Sequence, residues 1–295
     1  MRGETALTPH TDRRALAALI GGAILIGFAP IFVRMADVGY TAAAFWRVAL
    51  ALPALLLLWL PQRVRREGAA PVRWLLVAGL FFACDLGVWH QSIRYTSVAN
   101  STLFANFAPI FVTAGSVWLF RDHVNRRFLL GLGVALLGSA LIVAHSFRVS
   151  LATVGGDALG VMAAVFYAGY LLTVSRQRKF ASALDVMWWS TLACALALLP
   201  VVLALGEPLW PRSTHGWGVL IGLALVGHVA GQGLIAWGIA HLPAAFSSVS
   251  LLVQPVAAAV FAWLLLGESF GALQALGGLV VLGGILTCRL AMATR

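Results

Sequence analysis

Apolar runs of about twenty residues follow one another from one end of this 295-residue chain to the other. Each is long enough to cross a hydrocarbon core ~30 Å thick at a helical rise of ~1.5 Å per residue. No water is present at that depth, so a spanning segment must satisfy its own backbone hydrogen bonds, as a helix does. Ten runs qualify, at 15–36, 40–60, 73–94, 97–120, 127–145, 156–176, 183–205, 216–240, 244–266 and 271–291. The connections are short, so there is no soluble domain or long linker. Composition agrees: 61% of residues are hydrophobic and 10% charged, with a mean hydropathy of +0.93. A soluble domain carries about 25% charged residues. The fold class is therefore an all-α membrane protein of ten transmembrane helices, multi-pass in the inner (plasma) membrane. The first run follows Arg13 and Arg14 as a signal peptide would. It is longer than a typical apolar core of such a peptide and further spans follow, so it reads as a retained first helix.

A net charge of +10 does not imply nucleic acid here, because the basic residues cluster between the apolar runs. With the N-terminus in the cytoplasm, fifteen of the twenty lie inside, including Arg2, Arg13, Arg14, Arg63, Arg65, Arg66, Arg73, Arg121, Arg126 and Lys179. Arg34, Arg94, Arg148 and Arg212 fall outside, and Arg47 lies within the second helix. This bias puts both termini in the cytoplasm. Cys84, Cys194 and Cys288 lie far apart inside apolar runs and read as small buried hydrophobes, not metal ligands.

NFAPIFVTAGSVWLFRD at 106–122 is echoed by LVQPVAAAVFAWLLLGE at 252–268, an offset of 146. In the same register Ile239 falls on Ile93, Ser247 on Ser101, Pro255 on Pro109, Glu268 on Asp122, Gly277 on Gly131 and Gly284 on Gly138. A slightly smaller shift puts Trp188 on Trp46. The chain thus divides into five-helix repeats, 1–148 and 149–295. Five is odd, so the copies cross the membrane in opposite senses, as in secondary transporters with a mid-membrane site between inverted repeats. Duplication in a channel or scaffold is the ordinary alternative.

Two halves, each with a proline-bearing fourth helix that ends in an acid and a glycine-rich fifth, resemble the drug/metabolite transporter superfamily, in particular its ten-helix exporters with paired EamA-type halves. FWRVALALPALLLL at 45–58 is similar to that family's second helix. The nearest likeness is to bacterial exporters of aromatic and other amino acids. The resemblance implies a central cavity lined by helices 1, 3, 4, 6, 8 and 9, with helices 5 and 10 behind. It also implies alternating access, a small-molecule substrate, and no cofactor or ATP. Gly131, Ala135 and Ser139 recur at four-residue spacing, which permits close helix contact.

Ionisable groups inside spans are costly and mark functional positions. Arg47 and Asp85 qualify, about 10 and 13 Å from the same face. They form a structural ion pair, or each faces a wet cavity; in the sharper version Asp85 takes up a proton or meets a substrate ammonium. Helix 3 adds Trp89 and His90, and helix 8 adds His228, Gln232 and Trp237. A histidine titrates near physiological pH, although a lone intramembrane histidine commonly bonds a neighbouring helix. Asn106 and Gln254 lie beside Pro109 and Pro255, whose rings leave a carbonyl without its helical partner; these four are the leading mid-membrane candidates. Tyr167 and Tyr170 are deep enough for a cavity role, whereas Trp188 and Trp189 suit the interfacial belt. An apolar, aromatic-rich pocket with few polar groups suits a small amphiphile such as an amino acid. Asp122 and Glu268 sit at span ends, where a carboxylate favours the start of the next helix by about 0.3–1 kcal/mol.

Among other functions, efflux of drugs or other metabolites uses the same machinery, and a lipid flippase would have a similar cavity. An intramembrane enzyme lacks support: there is no His-Glu-x-x-His, GxSxG or pair of mid-span acids at one depth. Asp157 in GGD at 155–157 has no second acid. Expected partners are the small-molecule substrate and membrane lipids, with no nucleic acid, in a monomer or weak homodimer.

Overall fold

The computed structural model describes residues 9–65, 71–144 and 153–293. These form ten membrane-length helices: α1 (Arg13–Met35), α2 (Tyr40–Val64), α3 (Val72–Tyr95), α4 (Asn100–Phe120), α5 (Arg126–Val143), α6 (Val154–Gln177), α7 (Ala183–Leu205), α8 (Thr214–Gly238), α9 (Ala244–Leu266) and α10 (Ala272–Met292). No strand occurs among the described residues. The all-helical, ten-span architecture is the expected one. Among the span bounds the largest departure is the end of α2 at 64 rather than 60. The expected boundary between halves at 148 and 149, and Arg2, Arg66, Arg148 and Arg295, lie outside the described residues.

Four helices are interrupted: α2 at Leu50, between Tyr40–Ala49 and Ala51–Arg65, and three others near mid-span. In α1 the segments are Pro9–Ile26 and Ala29–Met35, in α4 Val98–Ala105 and Ala108–Phe120, and in α9 Ala244–Ser250 and Val253–Leu266. Pro30, Pro109 and Pro255 stand in the first turn of each second segment. A proline has no N–H and its ring clashes with the carbonyl four residues earlier, so the helix breaks there and restarts. In α8 the stretch Leu223–Gln232 is wound as a π-helix, a rare geometry that is frequent at functional sites.

The two proline-broken helices 146 residues apart also end alike. Arg121 after α4 has φ +58° and Gly267 after α9 has φ +67°. The next amide then reaches back six residues: Asp122 N–H donates to Ser116 at 3.2 Å and Glu268 N–H to Ala262 at 3.3 Å. The left-handed residue after each helix turns the chain off the helix axis. The expected capping role of the two acids is thereby corrected. The turn leaves both acids short of the next helix, whose start is served by other side chains. Asn125 accepts from Phe128 N–H at 2.8 Å at the head of α5, and Gln274 accepts from Gly271 N–H at 2.8 Å at the head of α10.

The two halves interlock. Helix α1 packs on α8 and α9, α2 on α7, α3 on α6 and α7, α4 on α6 and α9, and α5 on α10. The α5–α10 seam is backbone against backbone. A Cβ on Gly284 would sit 2.4 Å from the Ala135 nitrogen, and one on Gly138 would sit 2.5 Å from the Val281 nitrogen. Ser139, third in the small-residue series, instead accepts from Asn106 Nδ2 at 3.1 Å and ties α5 to the break in α4.

The loop between α7 and α8 is bolted to the first half by Glu207. Its carboxylate accepts from the backbone N–H of Thr41 at 2.8 Å and of Ala42 at 3.2 Å, capping α2. It also pairs with Arg94 of α3 at 3.5 Å. In the same region Asp37 accepts from Arg212 N–H at 3.1 Å and Ser213 Oγ at 2.9 Å.

Candidate functional site

The breaks in α1, α4 and α9 and the end of the π-helical stretch converge on one cavity of about 130 Å³. Proline geometry explains the convergence. The carbonyls that Pro30 and Pro109 leave without helical partners belong to Ile26 and Ala105, and both residues lie on the cavity wall. Irregular backbone at membrane depth is tolerated where it lines such a space. Helices α2, α3 and α6 complete the wall with Arg47, Phe82, Asp85, Leu86, Trp89 and Tyr167.

Eight of the residues singled out in the sequence meet here: Arg47, Asp85, Trp89, Asn106, Tyr167, Gln232, Gln254 and Pro255. Two of the amides are already engaged, Asn106 with Ser139 and Gln232 with the Tyr170 hydroxyl at 3.2 Å. Gln254 Nε2 and Arg47 Nε are buried without a hydrogen-bond partner. The Arg47 guanidinium stands 5.8 Å from the centre of the Phe82 ring, within cation–π range. The direct Arg47–Asp85 ion pair offered as one reading of the sequence does not form: among the described residues no nitrogen–oxygen contact within 4.0 Å joins them. The two side chains instead contribute separately to the same wall.

The other five candidates stand off this cavity. Pro109 is buried in the α4 packing. Tyr170 is buried behind Gln232, its ring 4.8 Å from that of Phe82. His90 Nδ1 donates to the Leu86 carbonyl of its own helix at 2.6 Å. His228 Nε2 meets Thr191 Oγ1 of α7 at 2.8 Å, the cross-helix bond a lone intramembrane histidine is expected to make. Trp237 is 38% exposed and packs on His241. It faces outward because Gly233–Gly238 is wound as an ordinary α-helix, in which five residues turn about 140° and carry Trp237 off the side that Gln232 faces. Trp188 and Trp189 pack on Trp59, away from the cavity. Asp157 accepts from Thr96 Oγ1 at 2.7 Å and Asn100 Nδ2 at 3.1 Å, a structural tie at the head of α6.

Sequence reasoning missed Pro30, Thr102 and Glu207. Pro30 had a signal, since FAPIF occurs at 28–32 as well as at 107–111. Glu207 had none, because it lies in a short loop and finds its partners 113 to 166 residues away.

The cavity continues into a wider vestibule of about 780 Å³. Pro30, Trp89, Thr102, Pro255 and Ala258 belong to both. The vestibule leads to the end of the molecule that carries Arg34, Tyr40 and Glu268. Toward the opposite end α1 and α8 close on each other: a Cβ on Gly22 would lie 2.6 Å from the Gly231 carbonyl, and one on Gly238 would lie 2.8 Å from that of Ala15.

Comparison with known proteins gives a consistent picture. The model of the EamA-like transporter family matches twice, at residues 13–144 and 154–289. An uncharacterized transporter of Archaeoglobus fulgidus is 25% identical over 270 residues, 92% of this chain and 94% of that protein. The pseudopaline exporter CntI of Pseudomonas aeruginosa is 25% identical over 241 residues, covering 80% and 81%. A protein of Streptantibioticus cattleyicolor named "probable terminal-alkyne amino-acid exporter" is 24% identical over 267 residues, covering 88% and 87%. A crystal structure covering 95% of this chain and 98% of its own superposes with a TM-score of 0.78 at 16% identity, a likeness of fold.

Proposed function

Because this chain belongs to the EamA-like transporter family, it is a multi-pass membrane transporter, and we propose that it exports small amphiphilic metabolites, above all amino acids with apolar or aromatic side chains. The observation that carries this reading is the cavity itself. Its wall is built from Ile26, Phe82, Leu86, Trp89 and Ala258, interrupted by Arg47, Asp85, Gln232 and Gln254. Such a surface accepts an apolar side chain and a few polar groups. A phosphorylated cargo would call for several cations, whereas among the described residues Arg47 is the one Lys or Arg lining this cavity. The name of the Streptantibioticus relative supports the same cargo class.

In this reading residues 1–148 and 149–295 are inverted repeats, both termini are cytoplasmic, and the halves rock about the cavity. The vestibule then faces the exterior and the contact of α1 with α8 forms the cytoplasmic seal. The doubled family match supports the repeat. The test is purified protein in liposomes loaded with a panel of labelled amino acids, with the pH gradient varied. Efflux of apolar and aromatic amino acids above empty liposomes is expected. Flux of none of them, with flux of unrelated drugs or metabolites, would replace the cargo assignment. Flux insensitive to the gradient would mark facilitated diffusion.

A further inference from the structure

Arg47 and Asp85 are ionisable side chains on one cavity wall that, among the described residues, no direct ion pair engages. Arg47 is 6% exposed, its Nε has no partner, and its guanidinium stands over the Phe82 ring. Asp85 stands three residues beyond Phe82 on α3, on the same cavity wall, and among the described residues it makes no ion pair with Arg47. An ion at this depth costs several kcal/mol unless matched by opposite charge or hydrogen bonds. Elsewhere the protein meets that demand: Glu207 has two backbone amides and Arg94. At the cavity it does not, and Gln254, on the same lining, has its Nε2 buried without a hydrogen-bond partner.

We infer that these groups are reserved for the two ends of a zwitterion. The Arg47 guanidinium, with Gln254 lining the same cavity, takes the cargo carboxylate, and Asp85 takes its primary ammonium. The assignment rests on the amino-acid reading above and adds which charge reads which group. A guanidinium presents paired donors that match a carboxylate, and a carboxylate accepts only from donors such as an ammonium. One cation and one anion on the wall fit a cargo with no net charge. A cargo with only one of the two charges leaves the other wall group buried and unpaired, which is how polar sites reject close analogues. The apolar remainder of the wall takes the side chain.

The experiment uses full-length protein in liposomes with efflux of labelled tryptophan as readout. Competitors are tryptophan, tryptamine (no carboxylate), 3-indolepropionate (no ammonium) and tryptophan methyl ester. For the wild type, the three single-charge analogues compete at least about ten-fold more weakly than tryptophan, the loss expected for one charged hydrogen bond. Arg47→Gln removes the advantage of tryptophan over tryptamine and its ester, and Asp85→Asn removes its advantage over 3-indolepropionate. Single-charge analogues that compete as well as tryptophan overturn the inference, and that result needs no folded variant. Variants that weaken all competitors equally overturn it as well. Absence of flux for every amino acid refutes the underlying reading instead, so the two failures are distinguishable.

Discussion

Arg34 at the end of α1 pairs with Glu268 just past the end of α9, across the rim of the vestibule and between the two halves. Their side chains are 65% and 44% exposed, and such a pair contributes about 0–1 kcal/mol. It is therefore a weak tie across the rim. Glu268→Gln is expected to raise, by up to about five-fold, the rate at which A259C in a Cys84→Ser background reacts with a membrane-impermeant maleimide. The charge swap of Arg34→Glu with Glu268→Arg returns the rate toward that of the parent. An unaltered rate in Glu268→Gln would show that the pair does not hold the rim.

Glu207 is a strong fastener by comparison. Glu207→Ala leaves the Thr41 and Ala42 amides and Arg94 without their acceptor. A loss of about 2 kcal/mol is expected from the cap and the charged hydrogen bonds, read as lower thermal stability in detergent. Glu207→Gln retains an acceptor oxygen and loses about half as much. Equal stability of Glu207→Ala and wild type would contradict the bolt.

The α5–α10 seam gives a prediction with an internal control. Gly138→Ala and Gly284→Ala drive a methyl group into facing backbone at 2.5 and 2.4 Å, where neither side can yield cheaply. Overpacking of this kind costs about 1–3 kcal/mol. On the same helices a Cβ at Gly133 or Gly283 meets nothing within 4 Å, so Gly133→Ala and Gly283→Ala retain wild-type stability. Four variants of similar stability would mean that the seam is looser than its backbone spacing indicates.

Tyr167 and Tyr170 separate cargo contact from support. Tyr170 is 1% exposed and holds Gln232 from behind, so Tyr170→Phe should cost about 1 kcal/mol of stability and leave the transport KM nearly unaltered. Tyr167 lines the cavity, and Tyr167→Ala should raise KM for an aromatic cargo about ten-fold through lost ring contact. The opposite pattern would exchange their roles.

Much of this fold was legible because lipid imposes a simple rule: a segment that spans must be apolar and helical. The ten spans and the prolines that break α4 and α9 follow from composition and from the missing N–H. So does the 146-residue echo, which extends to the left-handed endings at Arg121 and Gly267. The candidate site was legible in part, since a polar residue in an apolar run stands out. Which side of a helix meets the cavity was not legible from either flank alone: Gln232 faces it, and Trp237, five residues or about 140° further round, faces out.

By itself the sequence determined a ten-helix membrane protein, its duplicated pattern and the pool of polar residues able to serve a cargo, because hydrophobicity and proline act locally along the chain. Only the tertiary structure decided which members of that pool meet and which are already satisfied. Asn106 belongs partly to Ser139, His228 to Thr191, and Gln232 to Tyr170. Arg47 and Asp85 share a wall without pairing. Partnership between residues on different helices depends on the rotation and depth of both, and neither is written in the residues on either side.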